Sequence, residues 1–502
     1  MPDVPRPRPT EPLTQQNTFL QQAVETAVIP SFLEARARLP EPVLADKPAW
    51  VEMYWRAWEL VWANLRRPRP DTGLVASHVN GSPENHLFMW DAAFEVQYGV
   101  YGRRIFPFVT TLDNFYARQH PDGYMCREMS WETGQELYAP FDPDGTGPAI
   151  LAWAEWRTYR ASGDDARLAR VFWPLLAYHH WCRANRTWPS GLYWATGVSS
   201  GMSNQPRVPD SRHHHRHWTW VDASMQAALT VSVLAQMAGR LQEADWAEAL
   251  TAEHTQLVQK INQQLWNEEQ TYYQDVGPDG RFSRVKSIGA YWGLVDKELV
   301  PADRLTPFVQ HLRDGWAFNL PHRVPSQAAD SEGYNAQSGN RWRGAVWPAT
   351  NFMVLKGLRT VGQHALAREI ALNHLGKLFE VYQRTDTFWE NYAPETAAPG
   401  DPAQPNAVSM AAISPIAILL EDVLGLHVDW PLRRVTWDRQ LETAQLYGVR
   451  NFPIGPDGVV DLIADPEKLT VNTNVPFTLQ LREDGQLLQA AVPVGTTEID
   501  LT

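Results

Sequence analysis

The chain has 502 residues, 44% hydrophobic and 20% charged, with a formal charge of −13. That balance describes a folded protein with room for one large domain and a small one, and it excludes a disordered chain. The acidic mean field argues against a nucleic-acid or anionic-membrane partner, because the one basic cluster, Arg212 to His217 (RHHHRH), is too short to reverse it. That cluster reads as a solvated loop insertion, with adventitious metal binding as the lesser alternative.

In chain order, residues 1–17 are Pro-rich and polar and are expected to form a flexible arm. They carry no apolar leader segment, and no run of about 18 apolar residues follows, so a soluble cytoplasmic enzyme is expected. A helical period then dominates to about residue 425, in stretches near 18–37, 50–66, 91–117, 147–184, 222–266, 290–313, 345–383 and 407–424. Within one of them Leu168, Val171, Phe172, Leu175 and His179 recur at spacings of three and four, with Asp164 and Asp165 as cap candidates and Pro174 suited to the first turn of a new helix. Paired off, the stretches give about six helical hairpins joined by long Gly-, Asn- and aromatic-rich loops such as 191–220 and 321–343, and long ordered loops usually carry function. Sequential hairpins elaborated on one side predict a mainly α fold, a closed α/α toroid with its site at one mouth. The period by itself also permits an open solenoid.

From Val428 the pattern changes to alternation, as in Phe477, Leu479 and Leu481, with tight-turn signals at Asp457-Gly458 and Asp484-Gly485 and with Pro476 placing its strand at an edge. The expected division is therefore an arm (1–17), a helical domain (18–427) and a small β-sandwich-like module (428–502). Cys126 and Cys182 are too few for a disulfide framework and lack zinc-site spacing. There is no phosphate-binding Gly-rich loop, dinucleotide fingerprint or H-E-x-x-H motif, so no organic cofactor and no catalytic metal is expected, while a structural cation in an acidic loop stays open.

The 23 Trp, 17 Phe and 16 Tyr residues fit either a Trp-rich helical core or faces that stack on sugar rings. Cleaving a glycosidic bond needs two carboxyl groups flanking it, one to protonate the leaving oxygen and one to activate water or attack. In FWENYAPET, Glu390 lies between Trp389 and Tyr392, where apolar neighbours can tune it; the plain alternative is a helix-end glutamate. In HLFMWDAAF, Asp91 beside Trp90 can clamp two sugar hydroxyls or merely cap a helix. In GNRWRGAVWPATN, Arg343 can fork to a hydroxyl or carboxylate while Trp347 offers a stacking face; a buried structural pairing of the arginine is the alternative.

These segments, with SGMSNQPR, resemble in order the W-x-W-D, S-G-M-D-N-x-P-R, Y-W-R-G-x-x-W-P-x-x-N and E-N-Y-x-P-x-T segments of glycoside hydrolase family 63 and its trehalase-like relatives, over roughly residues 75–425. The smaller bacterial members, mannosylglycerate and glucosylglycerate hydrolases, are the nearer likeness. The resemblance implies an (α/α)6 barrel and inverting hydrolysis of an α-glycoside, and the long loops, which tend to close a barrel mouth into a pocket, point to a short one, an α-glucoside or α-mannoside; a small carbohydrate is the expected partner, with the oligomeric state open. The resemblance also implies Glu390 as base, Asp91 as glycon ligand, and sugar-site contacts from Trp90, Arg343 and Trp347; Ser203, Asn204 and Arg207 of SGMSNQPR are further substrate-binding candidates. Ser203 stands where the family carries its acid, and a hydroxyl cannot protonate a leaving oxygen at neutral pH. Asp222, beside Trp218 and Trp220 at a helix start, is the favoured replacement, followed by Asp210 and the Glu128, Glu132 and Glu136 region. A carbohydrate-binding protein that has lost catalysis, or an epimerase or phosphorylase on the same toroid, are the competing readings.

Overall fold

A computed structural model describes residues 10–81, 85–439, 445–483 and 486–501. They form a helix-rich body and a separate β-sheet region. Local sequence sets the helical hairpins. Helix Leu151–Ser162 stops at Gly163, whose φ of 72° is the left-handed conformation glycine adopts without strain. Asp164 then caps helix Asp165–Asn185 by accepting the Arg167 N–H at 2.9 Å. Pro174 does not open a new helix as expected; it lies inside this one. Burial of Val171, Phe172, Leu175 and Leu176 around it outweighs a local cost of roughly 3 kcal/mol for an interior proline.

Burial patterns separate inner from outer helices. Val221–Arg240 is buried on nearly every face, whereas the following Ala244–Gln264 fully buries only Leu250, His254, Leu257 and Ile261, a single stripe. Contacts among the inner helices run from Met89–Gly99 to Leu151–Ser162, to Val221–Arg240, to Trp292–Val295, to Pro348–Thr360 and to Val408–Ala411, which returns to Met89–Gly99. The sequence of contacts closes on itself. Asp165–Asn185, Ala244–Gln264 and His364–Thr385 pack outside it.

The N-terminal stretch departs from expectation twice. Residues 12–16 and 18–21 form short 3-10 turns capped by Glu11 and Asn17, so part of the expected arm is ordered; residues 1–9 lie outside the described part. Of the helix expected over 18–37, only Phe32–Arg36 is α-helical. Glu25 instead donates its N–H to the Val75 carbonyl at 2.7 Å, and Pro30, with no N–H, cannot sustain a helix there.

Five strands form one sheet in the order Glu41–Leu44, Tyr447–Ile454, Gly458–Ala464, Lys468–Thr473, Gly495–Asp500, all antiparallel. A second sheet runs Gln486–Val492, Phe477–Glu483, Arg434–Asp438, Leu426–Asp429, with one parallel pair. The first sheet takes a strand from residues 41–44, a long-range pairing that local alternation does not reveal. The strand after Pro476 is interior, not an edge, because the proline precedes the first paired residue and removes no ladder donor. Residues 455–457 form the expected turn; Asp484-Gly485 lies outside the described residues. Buried charge ties the helical body to the second sheet: Arg359 pairs with Asp422 at 2.5 Å and reaches Asp438 at 3.2 Å, beside a cluster within the helical body in which Glu421 accepts from Tyr101, Arg157 and Lys356 at 2.8, 2.6 and 2.7 Å.

Candidate active site

Loops at the N-terminal ends of helices Met89–Gly99 and Pro348–Thr360 surround a cavity of about 330 Å3. Three carboxylates line it: Asp91, Glu128 and Glu390. Trp90, Trp342 and Trp347 supply aromatic walls, and Arg127, Arg212 and Arg341 supply positive charge. Ser203 and His213 complete the rim on one loop.

Each carboxylate is fixed by backbone pairing. Asp91 occupies the first turn of its helix, whose Met89 N–H donates to the Arg127 carbonyl at 2.7 Å. Strand His86–Phe88 pairs antiparallel with Glu128–Ser130, aligning Phe88 with Glu128 and so bringing Glu128 beside Asp91. The Glu128 carboxylate accepts from His86 Nδ1 at 2.8 Å. One turn below Asp91, Glu95 is 3% exposed, and burial together with the Asp91 charge holds its carboxyl well above the usual range. Glu390 is held by its own N–H to the Gln404 carbonyl at 2.9 Å, and Tyr392 exchanges both backbone bonds with Val346 at 2.8 and 2.9 Å. That exchange locks the Glu390 loop to the segment carrying Trp347.

Trp342 and Trp347 lie face to face, 3.9 Å apart and 2° from parallel, forming one thick aromatic slab. Asn204 organises it from behind: its Oδ1 accepts from Trp342 N–H at 3.0 Å and its Nδ2 donates to the Asn340 carbonyl at 2.9 Å. Asn204 therefore orders the wall without lining the cavity, which corrects its expected role as a sugar contact. Arg343 is likewise not on the lining; its Nε donates to the Gly333 carbonyl at 2.9 Å, and Arg341, two residues earlier, faces the cavity instead.

The favoured acid is also corrected. Asp222 is fully buried and receives Arg207 Nη2 at 2.6 and 2.7 Å, outside the cavity wall that Glu390 shares. Arg207, expected at the sugar site, is the buried centre of this cluster, with Trp220 4.3 Å below its guanidinium and Asp275 at 3.7 Å. Burial pushes Asp275 up to about 6. Asp210 is exposed and away from the lining, Glu132 pairs with Arg69, and Glu136 pairs with His120.

The loop that carries Ser203 doubles back on itself. Gly197 and Val198 donate their N–H groups to Ser211 and Arg212 carbonyls at 2.8 and 3.0 Å. A side chain on Gly197 would meet the Ser203 carbonyl at 2.8 Å and Arg212 Cα at 3.1 Å, so glycine is what lets residues 203 and 212 approach each other. His213 follows, its Nδ1 donating to Asp144 Oδ2 at 2.6 Å. Asp144 is 4% exposed and also accepts from Thr196 Oγ1.

Residues 84–405 match the model of the mannosylglycerate hydrolase MGH1-like glycoside hydrolase domain. The chain belongs to that family. An uncharacterized protein of Borreliella burgdorferi is 22% identical over 366 residues, 71% of this chain and 75% of its own length. A probable mannosyl-oligosaccharide glucosidase of Schizosaccharomyces pombe is 25% identical over 264 residues, 50% of this chain but only 31% of that protein. The crystal structure of the family 63 mannosylglycerate hydrolase of Thermus thermophilus with glucose superposes with a TM-score of 0.58 at 20% identity, covering 72% of this chain and 98% of that one. The motif resemblance to glycoside hydrolase family 63 is thus a family relationship.

Among the described residues no group of three or more His, Cys, Asp or Glu could hold a metal ion, and no helix is long and apolar enough to cross a membrane. Four cavity residues, Arg127, Arg212, His213 and Arg341, were not picked out as site residues from sequence. The usable signal for His213 was its place in the long loop directly after SGMSNQPR.

Proposed function

We propose that the chain is an exo-acting, anomer-inverting α-glycosidase built on an (α/α)6 toroid. It cleaves a short α-mannoside or α-glucoside whose aglycon carries an anion. The observation that carries this reading is one cavity lined at once by Glu390, Asp91 and the Trp342–Trp347 slab. The self-closing contacts of the inner helices support the toroid. The three cavity arginines support an anionic aglycon, since a neutral sugar needs no such charge and the related Thermus thermophilus enzyme is a mannosylglycerate hydrolase.

In the reaction, Asp91 accepts hydrogen bonds from glycon hydroxyls while the tryptophans cover an apolar ring face. Glu390 takes a proton from water as its oxygen attacks the anomeric carbon, and the aglycon oxygen leaves with the bonding electrons. That oxygen needs a proton that Ser203 cannot give. The test is incubation with α-mannosylglycerate and α-glucosylglycerate, followed by proton NMR of the first sugar released. The β anomer is expected; α anomer as first product would refute inversion, and tight sugar binding without turnover would favour the binding-protein reading that Ser203 keeps open.

A further inference from the structure

We infer that His213, oriented by Asp144, is the proton donor to the leaving oxygen. The inference rests on the hydrolase reading above and names the catalytic group that reading lacks. Ser203 and the Arg212–His213 segment are neighbours across Gly197, so His213 enters the cavity beside the position where the family keeps its carboxylic acid. Its side chain is 66% exposed yet tethered by Nδ1 to a buried carboxylate, an arrangement that leaves Nε2 as the edge available for proton transfer. A carboxylate on Nδ1 fixes the ring's orientation and leaves the opposite nitrogen for proton transfer. Asp144 is in turn held by Thr196 and by its own N–H to Asp142 at 2.8 Å, so it is a positioning residue, away from the reacting atoms.

The step balances without any co-reactant. Water oxygen bonds to the anomeric carbon, the carbon–oxygen bond to the aglycon breaks, and the released electron pair takes the proton from His213 Nε2. Glu390 receives the proton of the attacking water, and solvent returns one proton to His213 and removes one from Glu390. The charged and titratable groups around His213 are Asp144 beneath it, Arg212 on its own loop, Arg127 and Glu128 from the neighbouring strand region, and Asp91, Arg341 and Glu390 around the cavity. Glu128 is the rival donor, as the remaining carboxylate of the wall.

The deciding measurement is the split between substrates that need a proton and substrates that do not. In His213→Asn, turnover of α-glycosylglycerates should fall by about 10² to 10⁴, the contribution of a positioned acid. Hydrolysis of the matching α-mannosyl or α-glucosyl fluoride should stay within about threefold of wild type, because fluoride leaves without a proton; that retained activity also reports an intact fold. Asp144→Asn should show the same selective loss on glycosylglycerates over fluorides, smaller than in His213→Asn, because the ring keeps its place but loses its charged tether. An equal loss on both substrate types in His213→Asn, or the selective loss appearing in Glu128→Gln instead, would overturn the assignment. A wild-type protein that cleaves neither substrate type would overturn the hydrolase reading and this donor with it.

Discussion

Glu390 and Asp222 look alike in sequence, each a carboxylate beside tryptophan near a helix end, yet the fold assigns them to opposite environments. The wall around Glu390 gathers three carboxylates on a cavity. The cluster around Asp222 closes both of its oxygens onto Arg207, at 0% exposure for the guanidinium. A carboxylate whose two oxygens are both engaged by a buried arginine has no oxygen free for a substrate. Whether a carboxylate faces a cavity or is closed off in the core therefore depends on where the nearest cation is buried, and that is a tertiary fact.

The comparison makes opposite predictions for two isosteric changes. Glu390→Gln should lower kcat by about 10² to 10⁴ while leaving sugar affinity within about tenfold and the thermal midpoint unchanged. Asp222→Asn should do the reverse, costing about 3 kcal/mol of stability by leaving Arg207 buried beside a neutral amide, while the folded fraction keeps kcat within about threefold. Thermal melts and steady-state kinetics on both variants check this together. A stable, inactive Asp222→Asn protein would return Asp222 to the active site.

Smaller effects sharpen the boundary of the cavity. Arg341→Ala should raise KM for an anionic glycoside about tenfold or more, the value of a hydrogen bond to a charged group, whereas Arg343→Ala should leave KM within about twofold. Equal effects from both arginines would show that the loop rearranges around substrate. The smallest difference concerns Glu95. The unfolded chain releases this proton near 4.5, whereas the folded protein holds it well above that value, so wild-type stability declines as pH rises past 4.5. Glu95→Gln removes that dependence, and urea melts from pH 5 to 8 should show the variant gaining steadily on wild type. A gap that stays constant with pH would mean that Glu95 ionises freely in the folded protein.

Much of the fold was legible locally. Asp164 as a cap, the turn at residues 455–457 and most helical stretches follow from side chains acting on their own backbone neighbours, and such effects leave a pattern within about ten residues. The failures share another cause. Pro174 inside a helix, Glu41–Leu44 in the C-terminal sheet and the interior strand after Pro476 are all decided by partners distant in the chain.

The site divides in the same way. Sequence alone determined the family, through the order of four motifs, and placed Trp90, Asp91, Trp347 and Glu390 in segments that do meet at one cavity. It also showed a serine, Ser203, where the family resemblance leads to the expectation of a carboxylic acid. Only the tertiary structure decided that Arg207 and Asp222 satisfy each other in the core, that Arg341 and not Arg343 faces the cavity, and that His213 stands on Asp144 beside Ser203. The physical reason is that motif order is written in the residues themselves, whereas the burial and pairing of a charge depend on which groups the fold brings within a few ångströms of it.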